Sequence, residues 1–380
     1  MRVVVAPDSF KGSIGAAEAA AALAEGWRGA RPGDEVVCLP LADGGEGTLQ
    51  VLAAADPAAR WHPVPVTGPG GGTVPSRWLE GHNGTGYVEL AQASGLPLMA
   101  VLDPLGAQTT GTGELIADAL DAGATRIVIA LGGSASTDGG TGALAALGAR
   151  FLDAAGQELA PGGGALGGLA AAEVTGLCAP PPGGVACLTD VRAPLLGPRG
   201  AAAVFGPQKG ADAAQIALLE AGLTRLALVL CGDPGAPGAG AAGGTGYGFA
   251  AAWGADITPG AAELGRIVGL DTELARSDLV LTGEGRYDDT SGDGKITGSV
   301  LAAAARAGVA AALVAGVVAA APPPGVATVA LDALAGGPAA AMASPGRWLR
   351  AAGRRLALGR GRPCPQAADP AGPVPGGLRP

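Results

Sequence analysis

Apolar runs and turn residues alternate along the chain and set out most of its elements. The first run, Arg2 to Ala6, is mostly valine and stops at Pro7-Asp8, which predicts a strand and a turn. Alanine-rich Gly15 to Trp27 follows with strong helix propensity, then a second strand from Glu35 to Pro40 and a helix opening at Thr48. Strand, helix, strand, helix begins an α/β layer arrangement. From Trp61 to Leu90 the spacing changes. His62 to Thr67, Val74 to Leu79 and Gly86 to Leu90 are short β-favouring pieces split by glycine and asparagine turns, which predicts antiparallel hairpins. The α/β pattern returns with a helix over Gly113 to Ala122, a strand over Arg126 to Leu131 and a helix from Thr141. Near the end come a strand at Asp278 to Thr282, a helix at Ser299 to Ala307 and a strand at Ala310 to Ala315. Residues 302–321 are mostly alanine and valine, but Arg306 interrupts them, so a helix followed by a buried strand is expected there and no membrane span. The pattern predicts an α/β protein of two domains: residues 1–65 with 275–358, and an inserted 66–274. Residues 359–380 hold six prolines and little apolar material, and read as a disordered tail.

Composition changes this picture in one respect. Glycine (69) and proline (31) take a share of the 380 residues that often signals disorder, yet 48% of the chain is hydrophobic and only 15% is charged. With a mean hydropathy of +0.35, the chain folds, and the glycines mark turns and backbone-lined loops. A net charge of −9 excludes a basic nucleic-acid-binding surface, while an anionic small substrate is compatible if basic residues gather locally. The five cysteines (Cys38, Cys178, Cys187, Cys231, Cys364) lack CxxC spacing and read as reduced thiols of a cytoplasmic protein. The opening apolar run is too short for a signal peptide. His62 and His82, the only histidines, fall in the hairpin stretch, so histidine triads and histidine-rich metal sites are not expected. Tryptophans and tyrosines are scattered, with no stacking platform for bases.

Of the 24 basic residues, only Lys11, Lys209 and Lys295 are lysines, and each has a glycine beside it. A compact ammonium next to open backbone is a common way to hold phosphate or carboxylate. Four loops are candidates for chemistry. Asp8-Ser9-Phe10-Lys11-Gly12-Ser13 lies between a strand and a helix, where helix N–H groups receive anions; its alternative is an ordinary Asp/Ser cap. Asp43-Gly44-Gly45-Glu46-Gly47 offers two carboxylates suited to Mg²⁺, unless Glu46 only complements the helix dipole. Gly132 to Gly140 lets backbone amides approach phosphate and adds the hydroxyls of Ser134, Ser136 and Thr137. Thr282-Gly283-Glu284-Gly285-Arg286-Tyr287-Asp288 is read as a loop following a strand, with Lys295 shortly beyond. No P-loop is present, since position 289 is Asp and Lys295 precedes Ile296, and no GxGxxG follows a strand.

Taken in order, these loops resemble the bacterial glycerate kinases of the first type. The blocks that carry the resemblance are Ala6 to Ser13, Leu41 to Thr48, Gly111 to Ile116, Gly132 to Gly140, Phe205 to Ala211 and Leu281 to Arg286. The resemblance implies transfer of the γ-phosphoryl of ATP to D-glycerate, usually giving 2-phosphoglycerate, with Mg²⁺, in a cleft between two domains. The layout then reads as a flavodoxin-like parallel-sheet domain built from both chain ends, plus an inserted mixed α/β domain with antiparallel strands. Phosphoryl transfer depends on positioning and charge neutralisation. The catalytic candidates are accordingly Asp8, Lys11, Asp190 and Arg286, with Asp8 or Asp190 as base. Ser9, Ser134, Ser136, Thr137, Lys209 and Lys295 are the candidates for binding substrate and phosphate. Asp43, Glu46 and Glu284 are the candidates for the metal. Two departures stand out. Ala193 replaces the asparagine of the family's Cys-Asp-Val-x-Asn-Pro-Leu block, and the match loosens beyond Gly316. They motivate one alternative, a catalytically silent glycerate- or nucleotide-binding protein; a second is a kinase of another small hydroxy acid, for which the same loops would serve and only the acid-binding pocket would differ.

Overall fold

The computed structural model describes residues 1–292 and 295–359. Its strands, in chain order, are β1 (Arg2–Val5), β2 (Glu35–Cys38), β3 (Arg60–Thr67), β4 (Thr73–Glu80), β5 (Thr85–Glu89), β6 (Arg126–Ala130), β7 (Arg150–Leu152), β8 (Ala171–Glu173), β9 (Val185–Leu188), β10 (Asp256–Thr258), β11 (Leu279–Tyr287), β12 (Ala310–Val318) and β13 (Ala327–Ala330). Five of them form one sheet in the order β13-β12-β11-β1-β2, parallel throughout. Numbered along its own sheet, that is the flavodoxin-like order, with its switch point between β1 and β11. The second sheet runs β10-β9-β6-β5-β4-β3, parallel from β10 to β5 and antiparallel from β5 to β3, as the hairpin spacing predicts. Strands β7 and β8 pair separately as a small antiparallel ribbon.

Continuous valine in β1 follows from burial on both faces. Val3 and Val5 pack with the helices Ala16–Ala30 and Pro345–Gly359, while Val4 packs on the other side with the helix Ile296–Ala307. The two terminal helices meet backbone to backbone. A Cβ on Gly26 would stand 2.0 Å from the Arg350 carbonyl oxygen, and one on Gly353 2.2 Å from that of Leu23. The sequence beyond Gly316, loose against the family pattern, is thus folded into the first domain's core. The stretch 302–321 is the expected helix followed by a strand.

The structure corrects one reading. Residues 282–287 are not a loop: β11 continues to Tyr287, paired with β12 through Gly283↔Val314, Glu284↔Ala315 and Arg286↔Val317. The glycines that read as loop formers are there because the pairing is close, with a Cβ on Gly283 falling 2.0 Å from the Val314 carbonyl oxygen. At the other junction, β3 lies wholly in the second sheet, so the chain changes sheets between Ala55 and Arg60, ahead of residue 65. Helix Ala213–Leu230 opens on a capping box, in which Asp212 accepts from the Gln215 N–H at 2.8 Å and Gln215 accepts from the Asp212 N–H at 3.0 Å. It is long and apolar enough to cross a membrane by length and composition, and here it buries Leu219, Gly222, Leu223 and Leu226 against the second domain. Cys38, Cys178, Cys187 and Cys231 are free thiols. Of the expected tail, Gly359 ends the last helix and 360–380 lie outside the described residues.

Candidate active site

Three adjoining cavities run from the C-terminal edge of the first sheet to that of the second. The first, about 340 Å³, lies at the β1/β11 switch point and is lined by Asp8, Ser9, Lys11, Asp43, Glu284, Arg286 and Lys295 on its polar side. The second, about 910 Å³, shares Ser9, Lys11, Asp43 and Lys295 and adds Glu46, Gly132, Gly133 and Asp190. The third, about 410 Å³, shares Glu46, Gly132 and Gly133 and ends at Ser134, Phe205, Gln208 and Lys209. Open α/β sheets bind ligands at this edge.

The middle of the cleft is where the two sheets are fastened. Gly132 donates its N–H to the Gly44 carbonyl at 2.9 Å, and a Cβ on Gly132 would fall 2.3 Å from the Gly45 Cα. Gly44 itself takes φ +85° with a virtual Cβ 2.7 Å from the Leu188 carbonyl oxygen, so no other residue fits there. Glu89, at the end of β5, accepts from the N–H groups of Gly47 (3.1 Å) and Leu49 (3.2 Å) and so caps the helix Thr48–Ala55. Since Glu89 does the capping, Glu46 faces the cleft instead.

Three carboxylates gather around this hub. Burial, with a further push from nearby Asp43, raises the Asp8 carboxyl to about 7 against the pull of the Ser9 N–H, which donates to it at 2.5 Å. Burial and Asp43 likewise raise Asp190 to about 6, opposed by backbone N–H groups at the start of the helix Gly260–Ile267, where Ala261 donates to both carboxylate oxygens at 3.3 Å. Lys11 Nζ stands 3.8 Å from Asp43 Oδ2. Asp8 and Asp190, raised in this way within a cleft, mark it as a candidate functional site.

Glu284 is 8% exposed, and its Oε1 meets no hydrogen-bond partner among the described residues; burial raises its carboxyl, offset in part by the Thr297 and Ser291 hydroxyls and by Lys295. At the opposite end, Lys209 is 2% exposed. Its ammonium donates to Ser134 Oγ at 2.9 Å and to the Ser136 carbonyl, and makes no ion pair among the described residues. Burial pushes it down to about 7, with Asp138 opposing. A dry lysine without a carboxylate is a site for an anion.

Most of the residues expected from the sequence therefore converge, although not all in one place. Asp8, Glu284 and Arg286 line the first cavity; Asp190 lines the second; Ser134 and Lys209 line the third. Asp43, Glu46 and Glu284 do not share one cavity, and among the described residues no cluster of three or more His, Cys, Asp or Glu makes a ready cation cage. Ser136 and Thr137 are fully buried and line none of the three, with side-chain oxygens that lack a partner among the described residues. Ala193 also lines none of them, and its carbonyl accepts from the Gly240 N–H at 3.0 Å. Block Gly111–Ile116 serves packing, with Glu114 accepting from the Thr67 N–H at 2.6 Å and hydroxyl at 2.8 Å. The sequence did not point to the apolar wall of the first cavity, formed by Val317, Leu331, Ala341 and Met342, because its alanine-, glycine- and proline-rich surroundings carry no motif.

A sequence profile of the glycerate kinase family matches residues 3–357. Glycerate 2-kinase of Escherichia coli (strain K12) is 43% identical over 310 residues, covering 78% of this chain and 80% of its own length. Glycerate kinase of Bacillus subtilis (strain 168) is 44% identical over 315 residues, 80% of this chain and 82% of its own. Among solved structures, a chain assigned as glycerate kinase 2 from Salmonella typhimurium LT2 superposes with a TM-score of 0.82 at 38% identity, covering 95% of this chain and 98% of its own.

Proposed function

Because the chain belongs to the glycerate kinase family, we propose that it transfers the γ-phosphoryl group of ATP to D-glycerate in the cleft between its two sheets. The observation that carries the reading is the row of three cavities, with phosphate-grade cations at one end and a single buried lysine at the other. Transfer to the 2-hydroxyl is supported by likeness to the enzyme named glycerate 2-kinase. The free thiols support a cytoplasmic setting.

Asp190 is the base in this scheme. It lines the central cavity beside Thr189 and Val191, which also line the Lys209 pocket, whereas Asp8 lies on the far side, in the first cavity. Its carboxyl near 6 is mostly ionised at neutral pH yet basic enough to accept a hydroxyl proton as the phosphoryl group arrives. The backbone N–H of Ala261 holds it in place. Lys11, Lys295 and Arg286 offset the charge of the triphosphate. Mg²⁺ fits the donor set: Asp8 and Asp43 would hold it, oxygen ligands that repel one another when both are ionised. Bound there with the phosphates, the ion would neutralise charge developing on them.

A coupled ADP-release assay tests the reading with D-glycerate, L-lactate and glycerol as acceptors. Turnover is expected with D-glycerate and not with glycerol, which lacks the carboxylate that Lys209 would hold. Faster turnover with lactate than with D-glycerate would favour a kinase of another hydroxy acid.

A further inference from the structure

We propose that the two ends of the cleft are dedicated: the first cavity takes the nucleoside of ATP, with the C-terminal segment Leu331–Met342 as its wall, and the Lys209 pocket takes the carboxylate of the acid. The assignment rests on the kinase reading above and adds its polarity. A purine ring needs an apolar wall beside its polar anchors. The first cavity supplies it in Val317, Leu331, Ala341 and Met342, facing the polar groups at the ends of β1 and β11. Met342, 56% exposed, lines this cavity from a position a substitution can reach without disturbing the core. Glu284, buried in the same cavity with an unpartnered Oε1, is an acceptor for a ribose hydroxyl or ring amino group.

Charge gives the same direction. A triphosphate carries several negative charges; Arg286 lines the first cavity, and Lys11 and Lys295 line both the first and the second, beside the acids Asp8, Asp43, Glu284 and Asp288. The third cavity offers one cation, Lys209, enclosed by Leu96, Leu131 and Phe205, which suits a single carboxylate. With the nucleoside at one end and the acid at the other, the γ-phosphate and the acceptor hydroxyl meet in the central cavity, at Asp190.

Two variants pull the ends apart. Met342→Trp, which obstructs the wall from an exposed position, is expected to raise KM for ATP about tenfold with KM for D-glycerate within about twofold. Lys209→Met is expected to raise KM for D-glycerate by roughly ten- to a hundredfold, the loss of one charge-assisted hydrogen bond, with KM for ATP little changed. Thermal melts and circular dichroism check that both proteins are folded, and calorimetry with a non-hydrolysable ATP analogue reads nucleotide binding directly. The reverse pattern, or Met342→Trp affecting neither KM, overturns the assignment. If the parent protein binds the ATP analogue but never phosphorylates D-glycerate, the kinase reading fails; loss of analogue binding in Met342→Trp then still supports the nucleoside cavity.

Discussion

At the scale of single residues, burial and nearby Asp43 set two acids of the cleft, Asp8 and Asp190, above the ordinary carboxylate range. Asp8 sits near 7 because it is buried and faces Asp43, so between its ordinary 3.8 and that value the folded chain binds a proton that the unfolded chain releases. Its contribution to stability is therefore fully present at low pH and is lost as the pH rises through about 7. Asp8→Asn removes that penalty: without ligand, its Tm should exceed the parent's at pH 8, the gap closing toward pH 5. A gap that does not vary with pH would show that the carboxyl is not under this strain. Asp190 carries the kinetic counterpart. The parent's kcat should fall as the pH drops below about 6, and Asp190→Asn should lose roughly 10²- to 10⁴-fold in kcat together with that limb of the profile. The three lysines and most of the acids were legible in the sequence, since lysine is rare in this chain and each stands beside glycine. What these acids do to one another was not legible, because it depends on burial and on neighbours distant in the chain.

At the scale of elements, apolar runs predicted the strands well because β1, β6 and the cores of β11 and β12 are covered on both faces. The misjudged stretch was Gly283 to Tyr287, where glycine signals a loop by propensity but meets the tight pairing of two strands. Close approach also governs the terminal helices, whose contact no local pattern reveals. Gly26→Ala would drive a methyl group into the Arg350 carbonyl, and the variant should lose about 1–3 kcal/mol of stability, read as a lower denaturation midpoint. A midpoint equal to the parent's would mean that the helices separate without loss. KM values should stay near the parent's, since neither helix packs its glycine against the cleft.

At the scale of the whole molecule, the two sheets are joined where loops of the cleft touch backbone to backbone. Asp43 to Gly47 belongs by sequence to the first domain, yet it is fastened to the second by Gly132, Leu188 and Glu89. A side chain at position 132 would push this loop away, so Gly132→Ala should reduce kcat by more than its loss of Tm would suggest, as steady-state rates beside thermal melts would reveal. Equal, small effects would mean that the loop tolerates the shift. Motif order already pointed to a two-domain kinase. The polarity of the cleft could not be read that way, because the nucleoside wall comes from a segment without a motif. The measurement that tests the account most directly is phosphorus NMR of the protein with D-glycerate, ATP and Mg²⁺. The account predicts ADP and, in equal amount, a phosphomonoester on the 2-hydroxyl. Unconsumed ATP, with both ligands shown by calorimetry to bind, would contradict it and leave a protein that binds these ligands without catalysis.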